Sequence, residues 1–564
     1  MIKDKSKIKK FIIDFLNTSH GKEVLKKYKY TCDVTPKNIY TEDINLKERY
    51  IKEAVIIHKF VEYFYSLDFS LKNILSNVKE INEYYPWISE INFCKRKELE
   101  LFNKFVQNNI IDFFSKINPR QYGEYYTPLE MIDLALSQLD FNNFNISEKV
   151  IDPSCGSGFF LYVYIKKLYN SGKIKKEDMK VLQNNIYGND IFPFAIITTK
   201  LLLGYLIYNL FNLKKDVFSF NNIRIRNTVH SLKCKNPNRD EIKYKDFNFI
   251  LGNPPFFRID PNYKNGICDC ISYGHNYAHS VFLHWSIQHL KNNGKLCLFL
   301  PQSMLSGYYY QKSRKELLDK MNLDLIITNK DHEKDFNVQQ DIMILLANKK
   351  NHIKDKFHIG TSINNYDDIK SYTLPTSIIK NDLNVIPIIK NNSQYKVLKK
   401  LSKLEVIKNI DKLNMATGNF VWNQNKDYCF KEKVEGSLPL ISGPNITKEG
   451  IKLNIDRHNN FPYCFPDKEK YIKQDYAILY RRMSPIGNKE RMIASIIDPE
   501  HFGPYVVENH VNILTSNNKD FLNEVFKLIT SRNFNTLINA FCHTNQISNN
   551  ELKMAFEVLQ RMKV

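Results

Sequence analysis

The side chains best suited to chemistry lie in the stretch Gly252-Asn253-Pro254-Pro255-Phe256. The apolar run before it, 247–251, is too short for a helix and is typical of a buried strand. Two prolines end that strand because proline lacks a backbone N–H and fixes φ, and Pro254 keeps Asn253 extended. The turn thus presents an amide, a fixed carbonyl and an aromatic face where open α/β sheets bind ligands. It suits a flat ring with an exocyclic amine, although a purely structural turn is the alternative.

A second candidate site is the stretch Val150-Ile151-Asp152-Pro153-Ser154-Cys155-Gly156-Ser157-Gly158-Phe159. We expect a strand to end at Asp152, a tight turn to follow, and a helix to open at Phe159. The small residues of the turn let a ligand approach the backbone closely. No Lys-Ser or Lys-Thr follows the glycines, which argues against a phosphate-binding loop. The pattern favours a nucleoside with an amino-acid tail, whose amine or hydroxyls the carboxylate would bind.

Two more stretches carry polar groups at predicted element ends. Asp190 and Ile191 follow a predicted strand, and a carboxylate there is placed to bind the two hydroxyls of a ribose. Thr127 precedes Pro128 in the stretch 121–128, and we predict it as the N-cap of a helix. An ordinary exposed acid and an ordinary helix cap are the simpler alternatives.

The elements that must position these groups alternate between strands and helices from about 116 to 375. The strand candidates are 150–151, 185–187, 247–251, 295–300, 323–327 and 342–347. This alternation predicts a doubly wound parallel sheet, an α/β Rossmann-like fold. Residues 212–246 are basic and irregular, which indicates an insertion, and 257–277 is predicted as a long polar loop of functional character.

Flanking segments differ from this central one. Residues 1–115 show apolar spacing typical of helices and contain no Pro-Asp pair of a nuclease motif, so a helical accessory domain is predicted. Residues 376–564 combine short strands with turn signals, which predicts a mixed α+β domain. The sequence therefore predicts three domains: 1–115, 116–375 and 376–564.

The composition of the 564-residue chain indicates a globular protein with a polyanionic partner. Hydrophobic residues make up 43% and aromatic residues 13%. The formal net charge is +21, which favours nucleic acid first and an anionic membrane surface second. The chain is also rich in Lys, Asn, Ile and Tyr, and an AT-rich genome would produce the same bias.

Cysteine usage and the apolar stretches predict a cytoplasmic protein without a membrane span. The 10 cysteines are scattered, and Cys268 and Cys270 have no second pair at zinc spacing, so we expect reduced thiols and no metal. Residues 1–15 lack the cleavage site of a signal peptide. The most apolar stretch, 195–211, contains polar residues and is predicted as a buried helix.

Along the chain the Tyr-Thr-Pro motif comes first, then the Asp152 motif, the acidic Asp190 and last the Asn-Pro-Pro-Phe motif. In this order the motifs resemble those of the gamma class of N6-adenine DNA methyltransferases, which includes TaqI-like enzymes and larger restriction–modification methylases. The resemblance covers about 120–350. It implies that S-adenosylmethionine is the cofactor and that Asn253 and Pro254 accept the N6 hydrogens of an adenine flipped out of double-stranded DNA. Pro255 completes the motif, and Phe256 would stack on the base.

The resemblance also implies the cofactor contacts. Tyr126, Thr127 and Pro128 would lie over the methionine moiety, with Asp152 and the turn through Pro153, Ser154, Cys155, Gly156, Ser157, Gly158 and Phe159 at its end. Asp190 would bind the ribose, while Ile191 and Phe282 would contact the cofactor adenine. Asn227 stands where relatives usually have an Asp that binds the adenine amine, and Phe256 stands where many have Tyr.

The C-terminal segment resembles target-recognition domains of such methylases. The matching phrases are 417–426, 440–446 and 507–512. Arg481, Arg482 and Arg491 are candidate DNA contacts, and Phe336 is a candidate second stacking face for the flipped base. His510 beside Glu508 is expected to have a structural or DNA-contacting role.

The resulting hypothesis is a site-specific DNA adenine methyltransferase, either an orphan or paired with a cognate restriction endonuclease as a separate protein. Three alternatives are an RNA or protein-glutamine methyltransferase, the methylase part of a fused restriction enzyme, and a non-catalytic DNA-binding subunit. The intact Asp152, Asp190 and Asn253 argue against a decayed site.

Overall fold

A computed structural model describes most of the chain, in two compact units. The described residues are 5–32, 43–67, 69–90, 127–141, 144–228, 246–259, 271, 276–329, 342–349, 354–362, 369–379, 384–400, 410–453, 461–485, 488, 490–543 and 545–561. The first unit comprises 1–301, 315–353 and 362–370, and the second 302–314, 354–361 and 371–564. The predictions for Tyr126 and Phe336, and the domain boundary at 115, lie outside the described residues.

Among the described residues, five helices form a layer at the start of the first unit. They are α1 (Lys5–Asn17), α2 (Ser19–Cys32), α3 (Asp43–Ser66), α4 (Leu71–Asn77) and α5 (Lys79–Tyr84). Apolar residues recur every three or four positions, so each longer helix buries one face. Ile8 and Ile12 of α1, for example, are buried. The described part of the segment predicted to be helical is therefore helical.

Seven strands of the first unit lie side by side in the order β3-β2-β1-β4-β5-β7-β6. They are β1 (Val150–Asp152), β2 (Ile186–Asp190), β3 (Ile223–Ile225), β4 (Phe247–Gly252), β5 (Leu290–Pro301), β6 (Asn322–Asn329) and β7 (Ile342–Asn348). β1 pairs in parallel with both β2 and β4, so the strand order reverses at β1 and β4. All six predicted strands are present.

Two expectations about this sheet are wrong. β7 runs antiparallel to β5 and β6, so the sheet is not wholly parallel. The segment 212–246 is also more than an irregular insertion, since it contains β3, which pairs in parallel with β2.

Helices of the first unit flank this sheet. They are α6 (Leu129–Ser137), α7 (Phe159–Asn170), α8 (Met179–Asn185), α9 (Pro193–Phe211) and α10 (Ala278–His289), and α11 (Gln311–Lys320) continues from the second unit. Within the described ranges, α9 is the one helix long and apolar enough to cross a membrane, yet 78% of its apolar window is buried inside the protein. The prediction of a buried helix is confirmed.

The five-helix layer covers α9. Lys200 of α9 pairs with Glu80 of α5 at 2.6 Å, and Tyr205 of α9 meets Tyr63 of α3 edge-on at 5.8 Å. A helix that is apolar all round requires partners on every side, and here the sheet and the layer provide them. One hydrophobic core therefore includes both the layer and the sheet.

The second unit is mixed α+β, as predicted. Its strands are β8 (Lys356–Ser362), β9 (Ile369–Pro375), β10 (Asn414–Thr417), β11 (Cys429–Phe430), β12 (Leu438–Ile441), β13 (Ile446–Thr447), β14 (Gly450–Ile451), β15 (Tyr463–Cys464), β16 (Ile472–Lys473), β17 (Ala477–Arg481), β18 (Ala494–Ile497), β19 (Tyr505–Val507) and β20 (Val511–Thr515). Its helices are α12 (Asn392–Lys399), α13 (Pro499–Phe502), α14 (Lys519–Thr530), α15 (Arg532–Phe541) and α16 (Asn549–Arg561).

Two small sheets form the frame of this unit. One has the order β10-β20-β17-β18 and the other β11-β15-β12-β19-β16, while β13 pairs with β14. The division predicted at 375 stays a prediction.

Candidate active site

The two main motifs meet at the carboxyl ends of β1 and β4. Gly252 ends β4 with a φ of 154°, and a Cβ at this position would lie 2.6 Å from Asp152 Oδ1. Only glycine leaves room for the carboxyl group here. The neighbouring strands therefore place Asp152 next to the start of the Asn253 turn, where the strand order reverses and open α/β sheets bind ligands.

The side chain of Asn253 is held by the Thr127-Pro128 motif. Its Nδ2 donates to Thr127 Oγ1 across 2.9 Å. Its Oδ1 is buried and has no hydrogen-bond partner within the described ranges. A buried acceptor without a partner is uncommon and costly in a native protein, so this oxygen is a candidate ligand contact.

The predicted N-cap role of Thr127 is wrong. Helix α6 begins at Leu129, and Pro128 occupies the capping position without a side-chain hydrogen bond. The hydroxyl of Thr127 instead accepts from Asn253. The threonine therefore orients the amide and does not cap the helix.

Phe256 follows the two prolines of the Asn253 turn and packs in the hydrophobic core of the first unit. Its side chain is 9% exposed, and its ring meets that of His279 edge-on at 5.6 Å. Burial lowers the pKa of His279 to about 3, so the imidazole is neutral at physiological pH. Pro254 is buried and Pro255 half-buried. The aromatic ring is thus fixed beside the turn by a neutral neighbour.

Asp152 is a carboxyl group taken out of water. It is 1% exposed, and its Oδ1 accepts from the Ser154 backbone N–H at 3.0 Å. Burial, with a smaller contribution from the charge of Asp190, raises its pKa to about 8. A carboxyl group with its pKa raised in this way, at the end of a central strand, is a candidate for binding a cationic or donor-rich ligand.

The turn after β1 is open on one side and tightly packed on the other. Gly156 has a φ of 51°, and a Cβ there would meet no atom within 4 Å. Gly158 has a φ of 85°, and a Cβ there would lie 2.6 Å from Thr199 Cγ2. Ser154 Oγ is buried and has no hydrogen-bond partner in the part of the chain described. The open side can therefore admit a ligand.

Asp190 joins the ends of β1 and β2. Its Oδ2 accepts from the Gly156 N–H and its Oδ1 from the Phe192 N–H, both at 3.0 Å. These bonds fix the carboxylate at the carboxyl ends of β1 and β2. Ile191, the next residue, is half-buried.

Asn227 lies at the same edge of the sheet. Its neighbour Arg226 donates its backbone N–H to the Asp190 carbonyl at 2.7 Å. Its other neighbour, Thr228, donates its hydroxyl to the Pro153 carbonyl at 2.6 Å. The Asp152 turn and the Asp190 turn are therefore both hydrogen-bonded to the segment that carries Asn227.

Phe282 is buried in α10, and its contact with the cofactor adenine stays a prediction.

Sequence reasoning missed Thr228 and Thr199. Thr199 donates its hydroxyl to the Gly156 carbonyl at 2.9 Å. A buried threonine in the otherwise apolar run of α9 is the signal that could have identified this contact.

The prediction that Arg491 contacts DNA is wrong. Arg491 is 0% exposed and donates to the carbonyls of Ser484 and Cys542. Burial lowers its pKa. Arg481 and Arg482 are half-buried, and their DNA contacts stay predictions.

The three C-terminal phrases come together in the second unit. Thr417 pairs with Asn512 between β10 and β20, and Ile441 pairs with Val507 between β12 and β19. A Cβ at Gly418 would lie 2.1 Å from the Glu508 carbonyl oxygen. The phrases therefore build the scaffold of the unit.

His510 extends from this scaffold. Its Nδ1 lies 2.6 Å from Oε1 of the buried Glu508, and its side chain is 49% exposed. Glu508 Oε2 also accepts the His510 backbone N–H at 3.0 Å. The structural or DNA-contacting role expected for His510 stays a prediction.

Known proteins resemble this chain in sequence. The N-6 DNA methylase family matches residues 106–429. The type II restriction enzyme and methyltransferase RM.BcgI of Heyndrickxia coagulans is 24% identical over 331 residues, which cover 55% of this chain and 45% of that protein. The type I restriction enzyme EcoEI methylase subunit of Escherichia coli is 25% identical over 260 residues, which cover 45% of this chain and 48% of that protein. This chain thus spans about half the length of these two relatives. The type II methyltransferase M.CvrRI of Paramecium bursaria Chlorella virus XZ-6E is 23% identical over 464 residues, which cover 80% of this chain and 98% of that protein.

Solved structures share the fold. A complex of DrdV with DNA matches with a TM-score of 0.55 and 13% identity, covering 93% of this chain and 65% of that one. A nuclease-deletion mutant of the type ISP restriction-modification enzyme LlaGI matches with a TM-score of 0.53 and 13% identity, covering 100% and 67%. The Rossmann-like α/β fold class is thereby confirmed. More than half of the sequence matches the family and the motif residues converge at one sheet edge, so this chain belongs to the N-6 DNA methylase family.

Proposed function

We propose that this chain is a gamma-class, site-specific DNA methyltransferase that methylates N6 of a flipped-out adenine with S-adenosylmethionine as methyl donor. The observation that carries the proposal is the buried Asn253 Oδ1, which lacks a partner among the described residues while Thr127 holds the amide nitrogen. The Oδ1 atom is thus available to accept a hydrogen bond from an exocyclic amine, which is the group that N6 methylation modifies.

The residues around β1 and β2 fit S-adenosylmethionine. Asp152 and the Ser154 hydroxyl offer a buried acid and a buried donor without a partner in the described ranges for the methionine end. Asp190 offers fixed carboxylate oxygens for the ribose, and Ile191, Asn227 and Phe282 would lie toward the adenine. When bound, the cofactor supplies a methyl group on a positively charged sulfur.

The chain's own residues would prepare the target nitrogen. An adenine must leave the duplex to reach such a site. Asn253 Oδ1 and the Pro254 carbonyl would each accept one hydrogen of the amine, which localises its lone pair and stabilises positive charge that develops on it. Phe256 would stack on the ring, so the reacting atoms are brought into line mainly by positioning.

We assign DNA as the partner from the +21 net charge and from the family. The second unit would recognise the base sequence of the DNA. Replacing residues 376–564 by the corresponding segment of a relative should therefore change the methylated sequence. A cognate endonuclease would act as a separate protein. The alternative of a fused enzyme is supported by the name of the RM.BcgI relative and by the share of that protein that this chain spans.

The decisive experiment is methylation of plasmid DNA by the purified chain with labelled S-adenosylmethionine, followed by nucleoside mass spectrometry. We expect N6-methyladenine with wild type and a large loss with Asn253→Ala. RNA and protein substrates serve as controls, and label in either of them without label in DNA would contradict the proposal. Single-molecule sequencing of DNA from expressing cells would then give the target sequence.

A further inference from the structure

A charged side chain of the five-helix layer lies against the Asp190 turn. The guanidinium carbon of Arg49, in α3, stands 4.3 Å from the centroid of the Phe192 ring. Arg49 is 8% exposed and Phe192 is buried. A guanidinium over an aromatic face in a desolvated setting is an attractive cation–π contact.

The position of Arg49 is set from within the layer. Its Nε donates to Glu53 Oε1 at 2.8 Å, one helical turn along α3. Glu53 is fully buried, and its Oε2 accepts from the hydroxyls of Tyr28 in α2 and Tyr85 after α5. Hydroxyls from two other segments of the layer thus hold the carboxyl group of Glu53, which in turn holds Arg49.

Phe192 in turn holds the carboxylate proposed to bind the ribose. Its backbone N–H donates to Asp190 Oδ1 at 3.0 Å, and Pro193 starts α9 directly after it. Arg49 packed on the ring restricts how far Phe192, and with it this backbone N–H, can shift. The orientation of Asp190 is thereby connected to Arg49 by one ring and one hydrogen bond.

We infer that Arg49 is a positioning residue for the cofactor site, so that the five-helix layer takes part in binding S-adenosylmethionine. The inference rests on the proposed function. A methionine or leucine would fill the same volume without the cost of burying a charge, and a buried ion pair is by itself a weak source of stability. The planar, fixed guanidinium is suited to hold a ring in one orientation.

The test is the affinity of the full-length chain for S-adenosylmethionine, measured by calorimetry, together with kcat and KM on DNA. Arg49→Met keeps the volume and removes the charge, and we expect about three- to tenfold weaker binding. We expect KM for the cofactor to rise by a similar factor while kcat at saturating cofactor stays close to wild type.

Lys200→Met is the matched control. It breaks the ion pair that joins the same layer to α9, Lys200 with Glu80, and leaves the contact between Arg49 and Phe192 in place. We expect a lower melting temperature and unchanged cofactor affinity. A merely structural role for Arg49 predicts that both variants behave alike.

The outcomes separate this inference from the proposed function. If wild type binds no S-adenosylmethionine, the proposed function fails. If wild type binds and Arg49→Met binds equally well, the inference is overturned. Should Arg49→Met not fold, Arg49→Lys keeps the charge but loses the planar face; about twofold or more weaker binding by this variant supports the inference, and unchanged binding overturns it.

Discussion

Thr127 Oγ1 accepts a hydrogen bond from Asn253 Nδ2 across 2.9 Å, between residues 126 positions apart in the chain. This bond decides which atom of the amide faces the site. With the nitrogen occupied, the oxygen is the free acceptor, and an acceptor is what the hydrogens of an exocyclic amine need. The Thr127-Pro128 motif and the Asn253 motif therefore build one site together.

Replacing Asn253 by alanine should lower kcat for methyl transfer by about 10²–10³-fold, because one preorganised acceptor is removed. Binding of S-adenosylmethionine should persist. Calorimetry and a methylation time course measure the two effects separately. Full activity of Asn253→Ala would contradict the proposed mechanism.

Replacing Thr127 by valine should lower kcat about tenfold, since the isosteric side chain cannot accept from Asn253 Nδ2 and the amide is free to rotate. Thr127→Ser is the matched control, because it keeps the hydroxyl, and it should retain most activity. Equal rates for the two variants would show that the bond does not orient the amide.

The pKa of Asp152 makes cofactor binding and stability respond to pH in opposite directions. Its pKa is about 8 in the folded protein and near 3.8 when unperturbed. Only the ionised form attracts a cationic ligand, so affinity for S-adenosylmethionine should rise as pH increases toward 8. Titration calorimetry between about pH 6 and about pH 9 measures this dependence.

The same group costs stability as pH rises. Between its unfolded and folded pKa values the folded state holds the proton that the unfolded state has lost, so the unfolding free energy falls from about pH 4 to about pH 8. Asp152→Asn should be more stable than wild type at pH 8, by an amount that shrinks toward pH 4, and should bind the cofactor poorly. Thermal melts of the ligand-free proteins would contradict this if the difference did not depend on pH.

Alanine at Gly158 should destabilise the protein by about 2–4 kcal/mol, because it combines a positive φ with a contact of 2.6 Å to Thr199. Gly172 has a φ of 66° with open space around it, so Gly172→Ala should cost only about 1 kcal/mol. Chemical denaturation compares the two. Similar losses would indicate that α9 shifts freely to admit the methyl group.

Replacing Arg491 by methionine should cost about 2–4 kcal/mol of stability, because the buried carbonyls of Ser484 and Cys542 lose their donors. The DNA target of the remaining folded protein should not change. Denaturation curves and sequencing of methylated DNA measure the two effects. A changed target with wild-type stability would restore a direct DNA contact for this arginine.

Local sequence patterns were sufficient to predict six of the seven described strands of the first unit and the groups at their ends, but not β3. A short apolar run followed by Gly252 or Asp152 marks a strand end, and strand ends share one edge of the sheet. The partner of Thr127 could not be predicted, because nothing local distinguishes a capping hydroxyl from one that meets a side chain 126 residues away. The antiparallel direction of β7 and the burial of Arg491 likewise depend on tertiary packing.

Because α9 lies between the five-helix layer and the sheet, the layer meets this partner only after residues 85–192 have been synthesised. Glu80 and Lys200 are 120 residues apart in sequence, and β1 and β2 lie between them. Until α9 has left the ribosome, the side chain of Tyr63 lacks its partner Tyr205, and exposed apolar surfaces of this kind favour aggregation during folding. Translation of this chain is therefore expected to depend on chaperones that shield the early helices until residue 211 has emerged.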